Sequence, residues 1–531
     1  MVYGDSEKKQ VSSAAGVVGF FTLISRIAGL LRDVVVAVMF GSSAAADAFF
    51  VAFRIPNLLR SLFAEGALTI VFVPLFTEYL ALKGKEQAFE LARIVLTILS
   101  LILAVITVAG VLFAPWIVTI QAFGFGLDGP RHDLTVLLTK ITFPYIFLIS
   151  IVAFFMGILN SLRHFAAPAA APIFLNLGII VCAWLFAPIL DEPVVSLAIG
   201  VLFGGILQVL LQIPWVLRSG FKIIPLWQPW HPALKRMGIL ILPAIFGAAV
   251  YQFNQFVGTL LASFLEEGSV SWLYYADRLV QFPLGVFAIA LSTASLPSLA
   301  ACAASKDMVR FDEIILSALR LVFFISIPSL VGLIVMGQLL ISVIFEHGAF
   351  DGWSSLMTYR ALIFYSIGLW AFSGIKVLVS GFYALQDTKT PLKAAGLAFV
   401  INAILGVFFM GKIGHMGLAL ALSSAATVQF FFLAACLKKR VIDMRFGNIL
   451  KTVVKTIVAS VIMGFILIIS GYFLSELMPS SMIFQIFKMI ILLFVGISVF
   501  LFAAKLLRCS ELDSVFDMFK PLSGFFSKAR G

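Results

Sequence analysis

Charged residues are scarce in this 531-residue sequence: Asp, Glu, Lys and Arg make up 12% of it, whereas hydrophobic residues make up 62%. Soluble domains contain about a quarter charged and roughly half apolar residues. The composition therefore excludes a soluble enzyme, a disordered chain and a nucleic-acid-binding module, and nucleic acid is not an expected partner. The net charge of +11 is typical instead of a membrane protein that keeps Lys and Arg on one side of the bilayer.

Residues that usually carry catalysis or bind metals are also few. The five histidines fall in separate connections, and the four cysteines show no metal-ligand spacing. The sequence lacks a glycine-rich loop followed by Lys-Ser or Lys-Thr, which would cradle the phosphates of ATP. We therefore predict no catalytic residues, no metal site and no cofactor, and a protein that is not an enzyme.

Apolar runs long enough to cross a bilayer, about 20 residues each, recur along the whole chain. They predict an all-α polytopic membrane protein with fourteen transmembrane helices. The centres of these spans lie near residues 28, 63, 104, 147, 178, 205, 250, 285, 328, 370, 401, 426, 462 and 494.

The charges of the connections predict the orientation. With fourteen spans, both termini lie on the same side of the membrane. One set of connections, with the termini, contains 23 Lys and Arg, whereas the other contains only Arg131 and Lys412. Because positively charged connections stay in the cytoplasm, we expect both termini to be cytoplasmic. The first apolar run contains two Arg and no small-residue cleavage site, so a removed signal peptide is not expected.

The sequence repeats weakly at a shift of about 223 residues. Pro74 recurs as Pro297 and Pro168 as Pro391, each at that shift. The shift spans six predicted helices, an even number, so both copies enter the membrane in the same sense. This indicates a parallel repeat, related by an axis along the membrane normal.

The repeat predicts two pseudo-symmetric six-helix lobes, residues 11–218 and 236–440, followed by two extra helices within residues 449–507. Paired lobes of this kind suit an alternating-access transporter with its site at the lobe interface. A duplicated scaffold without a transport path is the alternative. For the two extra helices, a groove for a long lipid tail and a simple assembly surface both remain open.

Thirteen ionisable residues lie inside the predicted spans, and seven of them are in the first two. Each costs about 2.5–3.5 kcal/mol at the bilayer centre on insertion scales, so it must face protein, water or a partner charge. One interpretation is structural: the side chain pairs with a carboxylate, snorkels to the headgroups or locks two helices. We assign this interpretation to Arg54, Arg320, Arg360 and Lys140.

A second interpretation is that some arginines line a hydrated cavity and bind an anion. The planar guanidinium donates two parallel hydrogen bonds to phosphate and keeps its charge. The first two spans contain four Arg against Asp33, Asp47 and Glu65, so their surplus charge is positive. An anionic passenger is therefore expected. The arginines assigned to this cavity are Arg26, Arg32, Arg60 and Arg278.

Four stretches closely resemble the MurJ (MviN) family of lipid II flippases, within the multidrug/oligosaccharidyl-lipid/polysaccharide exporter (MOP) superfamily. They are SRIAGLLRD at residues 25–33, DAFFVAFRIPNLLR at 47–60, FAEGA at 63–67 and SWLYYADRL at 271–279. These motifs are long and specific. The fourteen-span layout extends the resemblance over essentially the whole chain.

The resemblance implies roles for individual residues. By motif position, the resemblance assigns substrate binding to Arg26, Arg32, Arg60, Arg278, Asp47, Ser271 and Asn57. It assigns gating or ion pairing to Asp33, Glu65 and Asp277. The chain departs from the family at Gln281, where some relatives carry Glu. A sodium site is not predicted, because Asn254 and Asn402 in the later spans are uncharged.

As function, the resemblance implies transport of lipid II, the undecaprenyl-diphosphate-linked disaccharide-pentapeptide, from the inner to the outer leaflet of the bacterial cytoplasmic (inner) membrane. Lipid II, membrane lipids and cell-wall synthesis enzymes are the expected partners. The alternatives are a polysaccharide-lipid flippase or drug/cation antiporter of the same superfamily, and a non-transporting membrane scaffold for cell-wall synthesis. The positive surplus charge argues against a cationic passenger.

Overall fold

The computed structural model describes residues 5–60, 71–440, 447–477, 479 and 481–515, without the side chains of residues 5–15, 241–251 and 448. In this part of the chain the regular elements are helices. The first ten are α1 (Asp5–Phe40), α2 (Ala44–Arg60), α3 (Val73–Leu82), α4 (Lys85–Leu112), α5 (Ala114–Gln121), α6 (Pro130–Thr142), α7 (Tyr145–Ser161), α8 (Ala166–Phe186), α9 (Val195–Arg218) and α10 (Pro232–Ser263). They are followed by α11 (Ser269–Pro283), α12 (Ile289–Ser305), α13 (Met308–Phe345), α14 (Gly352–Ile367), α15 (Leu369–Ala384), α16 (Lys389–Ile413), α17 (His415–Lys438), α18 (Gly447–Leu477) and α19 (Met482–Leu506).

Most predicted spans coincide with long apolar helices. Among the described residues, ten helical segments are long and apolar enough to cross a membrane, or eleven if α14 and α15, bent by 44°, form one span. Of the other three predicted spans, one coincides with α1 and one with α10. The centre of the third, near residue 63, lies outside the described residues, between α2 and α3. The all-α polytopic fold class is confirmed, and the fourteen predicted spans agree broadly with the observed helices.

The chain divides into two compact units. The first contains Met1–Ser271 with Gly348–Phe350, and the second contains Trp272–His347 with Asp351–Gly531. The division therefore falls inside α11. The predicted lobes, residues 11–218 and 236–440, remain a prediction.

The helix starts repeat along the chain at the same shift as the sequence. Helices α4 and α13 begin 223 residues apart, at Lys85 and Met308. Helices α8 and α16 also begin 223 residues apart, at Ala166 and Lys389. The order of helices is thus consistent with a duplicated six-span block.

In the first unit, α8 and α9 pack with their backbones in close contact. A Cβ atom at Gly178 would lie 2.5 Å from the Cα atom of Gly204, and one at Gly200 would lie 2.6 Å from the Cα atom of Ile179. Small residues permit such an approach between membrane helices. The contact fixes the position of α8, whose Asn176 belongs to a polar cluster described below.

In the second unit, α13 is the central helix. Its adjacent residues Phe323 and Phe324 pack on different partners: Phe323 lies 5.7 Å from the ring of Phe430 in α17, and Phe324 lies 5.1 Å from the ring of Phe500 in α19. A buried cluster joins α13 to α18 and α19. The two last helices therefore pack on α13.

The end of this packing contains an ion pair. Arg320 of α13 lies 3.8 Å from the Oε1 atom of Glu511, which is buried just beyond α19. The hydroxyl of Thr452 in α18 donates to the same oxygen at 2.9 Å. The structural interpretation of Arg320, pairing with a carboxylate, is confirmed.

Candidate functional site

Arg32 and Asp33 form a buried polar cluster in α1. The Nε and Nη2 atoms of Arg32 donate to the Oδ1 atom of Asp33 at 3.0 and 2.6 Å. The Nη1 atom donates to Asn176 of α8 at 3.1 Å, and the Asn176 amide donates to the carbonyl of Pro172 at 3.2 Å. The guanidinium of Arg32 is thus oriented by α8 and neutralised by its neighbour.

The carboxylate of Asp33 binds a residue of its own helix. Asp33 shares a helical face with Arg26 by its seven-residue spacing, and its carboxylate binds the guanidinium of its neighbour Arg32. Arg32 is therefore a paired cation in this conformation. Its predicted role in binding substrate remains a prediction.

The Arg32–Asp33 pair makes a prediction about folding. Arg32→Ala leaves the carboxylate of Asp33, about 4% exposed, without its counter-ion, so we expect the variant to lose about 3–5 kcal/mol of stability. The double variant Arg32→Ala/Asp33→Ala removes both charges and should recover most of the folded yield. The yield of monodisperse protein and its Tm check this. Equal loss of yield in both variants would show that the pair does not stabilise the fold.

Two further predicted cavity arginines lie in the first unit. The side chain of Arg26 in α1 is exposed, and that of Arg60 in α2 is half-buried. The Nε atom of Arg60 donates to the Oδ1 atom of Asn57 at 3.4 Å, one helical turn earlier. Asn57 therefore contacts a predicted substrate-binding arginine. Glu65, predicted to pair or gate, lies outside the described residues.

Asp47, in the first turn of α2, is completely buried and accepts hydrogen bonds from several directions. Its Oδ1 atom accepts from the backbone nitrogen of Ser271 at 2.9 Å and from the Ser271 hydroxyl at 2.6 Å. Its Oδ2 atom accepts from the backbone nitrogen of Gly268 at 2.8 Å and from Arg131 at 2.6 Å. The resemblance placed Asp47 and Ser271 together at the site, and the structure brings them into direct contact.

The partners of Asp47 are themselves held in place. The guanidinium of Arg131 lies 3.9 Å from the centre of the Phe125 ring, a cation–π contact. Nearby, the Glu267 carboxylate accepts from the backbone nitrogen of Ala44, the first residue of α2, at 2.6 Å. We call this group (Ala44, Asp47, Arg131, Glu267, Gly268 and Ser271) the Asp47 cluster. It fixes the start of α2 to the connection between α10 and α11.

The end of α1 beside this cluster is also held by backbone contacts. Gly41 adopts φ of +59°, and a Cβ there would lie 2.3 Å from the carbonyl oxygen of Ala349. The backbone nitrogen of Ala349 donates to the carbonyl of Val38 at 2.8 Å. Residues 348–350 therefore join the first unit through the last turn of α1.

Arg54 connects α2 to α10. It donates to the backbone carbonyl of Gln255 at 3.2 Å and to the side-chain oxygen of the same residue at 3.1 Å. It also donates to the hydroxyl of Thr259. The structural interpretation of Arg54, an arginine that locks two helices, is confirmed.

The second unit contains Arg278 and Asp277 in α11. The guanidinium of Arg278 is exposed, donates to the hydroxyl of Tyr274 at 2.6 Å and lies 4.8 Å from the centre of that ring. Gln281 donates to the Oδ1 atom of Asp277 at 3.4 Å. The residue that departs from the family pattern thus contacts the neighbour of Arg278.

Sequence reasoning did not identify three contributors to these contacts: Arg131, Asn176 and Tyr274. Two of them gave a signal. Arg131 is one of only two cations in its set of connections, and Asn176 is a polar residue within an apolar span. Among the described residues, no group of three or more His, Cys, Asp or Glu side chains is placed to hold a metal ion.

The fold and these polar groups define a class: a multi-pass helical membrane transporter of the MOP-superfamily architecture. A multidrug MATE transporter in an inward-facing conformation shares this fold with a TM-score of 0.64 at 16% identity, covering 80% of this chain and 99% of that one. A solved structure described as lipid II flippase MurJ, inward closed conformation, matches with a TM-score of 0.77 at 29% identity, covering 95% of this chain and 99% of the other.

The sequence comparisons identify the family. The family model described as lipid II flippase MurJ matches residues 36–488. A probable lipid II flippase MurJ of Vibrio cholerae is 40% identical over 432 residues, 80% of this chain and 82% of that protein. The lipid II flippase MurJ of Burkholderia cenocepacia is 39% identical over 424 residues, 79% and 82% of the two chains. The chain belongs to the MurJ family of lipid II flippases.

Proposed function

We propose that this protein moves lipid II from the inner to the outer leaflet of the bacterial cytoplasmic membrane, as a step of peptidoglycan synthesis. The observation that carries the proposal is the match to the lipid II flippase family over residues 36–488. The relatives from Vibrio cholerae and Burkholderia cenocepacia are described as lipid II flippases, and we propose the same substrate for this chain. The contacts of the described arginines and carboxylates support the roles in substrate binding and closure that are proposed below.

The transport movement that we propose is rocking of two lobes, residues 11–218 and 236–440. The recurrence of helix starts at a shift of 223 residues supports a parallel repeat, and parallel repeats are typical of transporters that alternate access around one site. The undecaprenyl tail stays in lipid beside residues 449–507. Large exposed apolar side chains on α18 and α19, such as Phe465 and Phe494, support this placement.

Substrate binding is assigned to guanidinium groups that meet the diphosphate. Arg26 and Arg278 are exposed and Arg60 is half-buried, so a phosphate can reach each of them. A guanidinium binds phosphate through two parallel charge-assisted hydrogen bonds. Arg32 is held by Asp33 and Asn176, so its guanidinium has a fixed orientation at the site.

The resemblance assigns Asp47 and Ser271 to substrate binding. Because they bind each other, we instead assign the Asp47 cluster to closure of the outer end of the path. Asp47 belongs to the first proposed lobe and Ser271 to the second, and both lie beside connections that carry few cations. Under the positive-inside rule these connections face outward and both termini are cytoplasmic. Four hydrogen bonds to one buried carboxylate then hold the outer end closed while the inner end accepts lipid II.

The partners follow from this cycle: lipid II, the surrounding membrane lipids and the cell-wall synthesis enzymes that make and use lipid II. The protein itself breaks no bond in lipid II. An intramembrane enzyme would change the mass of the lipid, so mass spectrometry of lipid II recovered before and after transport tests this statement.

The experiment that tests the proposal uses a cell depleted of its own lipid II flippase. Expression of this chain should restore growth and return lipid II to the outer leaflet, where a membrane-impermeant enzyme can cleave it. Restored growth without outer-leaflet lipid II would indicate a scaffold. Export of a different diphosphate lipid or of a cationic drug, with lipid II retained inside, would indicate the corresponding relative of the superfamily.

A further inference from the structure

An open cleft of about 300 Å³ lies between α12 and α13, within the second unit. The arginines, carboxylates and amides assigned above to transport do not line it. Its wall combines charged, hydroxyl and apolar side chains, among them Leu291, Arg310, Glu313, Ile314, Ser317 and Leu321.

The α13 wall of the cleft changes from charged to apolar along one helical face. Arg310, Glu313, Ser317 and Leu321 follow one another at spacings of three and four residues, so they form one stripe. At 1.5 Å per residue the stripe is about 16 Å long. Arg310 and Glu313 are exposed near the start of α13, whereas Leu321 is buried.

This order matches the cross-section of one membrane leaflet, in which charges at the surface give way to esters and then to hydrocarbon. Helix α13 begins directly after the turn at Lys306, where a connection between two membrane-spanning segments meets the headgroup region. The half-buried Leu291 and Ile314 continue the apolar part of the wall. The cleft is thus placed to hold one lipid lengthwise.

The two charges indicate the headgroup. Arg310 and Glu313 have opposite signs and lie one helical turn apart, and the structure, in which both are described, records no ion pair between them. A headgroup that carries one phosphate and one primary ammonium complements both. A purely anionic headgroup satisfies Arg310 but is repelled by Glu313.

We propose that this cleft is a binding site for a zwitterionic phospholipid of the phosphatidylethanolamine type. The phosphate binds the guanidinium of Arg310, the ammonium binds the carboxylate of Glu313, and an acyl chain lies along Leu291 and Leu321. The site is separate from lipid II transport, and retention of phospholipid can be measured without any flipping.

The chain offers a matched control for Glu313. At the shift of 223 residues, Glu90 of α4 corresponds to Glu313, but Gln87 corresponds to Arg310. Glu90 is also exposed. A variant of Glu90 therefore removes a negative charge from the equivalent position of the other repeat, outside the proposed lipid site.

The test measures phospholipids retained by the purified full-length protein after equilibration with equal amounts of phosphatidylethanolamine and phosphatidylglycerol. We expect about three- to fivefold more phosphatidylethanolamine, as for a partly exposed ion pair. Glu313→Gln should abolish this preference, Glu313→Lys should favour phosphatidylglycerol, and Glu90→Gln should change nothing. Equal retention by the unmodified protein, or a preference that survives both Glu313 variants, would overturn the proposal.

Discussion

Alanine in place of Arg26, Arg60 or Arg278, one at a time, is expected to reduce outward transport of lipid II by about ten- to a hundredfold. Each replacement removes a charge-assisted hydrogen bond to the diphosphate, worth about 1.5–3 kcal/mol. The readout is the rate at which lipid II becomes accessible outside the cell, at matched expression. Growth of the flippase-depleted cell should fail in the same variants.

Lysine replacements separate the charge from the shape of the guanidinium. Lysine keeps the positive charge but cannot form two parallel hydrogen bonds, so each lysine variant should lie between alanine and arginine. Arg360→Ala serves as the control, because Arg360 is an exposed arginine of α14 outside the proposed site. Full transport by all three alanine variants would show that these guanidinium groups do not bind the substrate during transport.

Alanine in place of Asp47 is expected to open the outer end of the path. The variant loses all four hydrogen bonds to the carboxylate and leaves Arg131, about 22% exposed, without its counter-ion. Breaking a buried ion pair costs about 3–5 kcal/mol, which is enough to shift a conformational equilibrium a hundredfold or more. Ser271→Ala should act in the same direction by only about 1 kcal/mol, because the backbone nitrogen still donates to Asp47.

Thiol cross-linking measures this opening. Cysteines at positions 44 and 267 replace two residues that are in hydrogen-bond contact, in a background without the four native cysteines. A short membrane-impermeant cross-linker added outside should join them efficiently, and much less efficiently when Asp47→Ala is added. Efficient cross-linking with Asp47→Ala would contradict the role of the cluster. Reaction only from the inside would contradict the proposed orientation.

The fold was predictable because hydrophobic length is a local property of the sequence. Most predicted spans are long apolar runs, and ten or eleven of them coincide with described helices that are long and apolar enough to cross a membrane. The sequence also predicted that Arg54 has a structural role, because a charge at that depth in the membrane needs a partner. The sequence did not identify the partner, which is Gln255 of α10.

The polar contacts were not predictable because they join residues far apart in the chain. Asp47 and Arg54 are seven residues apart and therefore share a helical face. The carboxylate of Asp47 nevertheless binds Arg131, 84 residues away. Arg32 is held by Asn176, 144 residues away. A single sequence reports which side chains share a helical face, whereas packing of α1 on α8 and of α2 on α6 decides which of them meet.

Transport of lipid II by this protein is tested most directly with the purified protein in sealed vesicles, with lipid II in both leaflets and a cleaving enzyme outside. We expect this protein to make the inner-leaflet lipid II accessible to the enzyme, and Arg60→Ala to slow this strongly. If the accessible fraction stays at the level of protein-free vesicles while the protein is folded and correctly inserted, the proposed transport of lipid II is wrong.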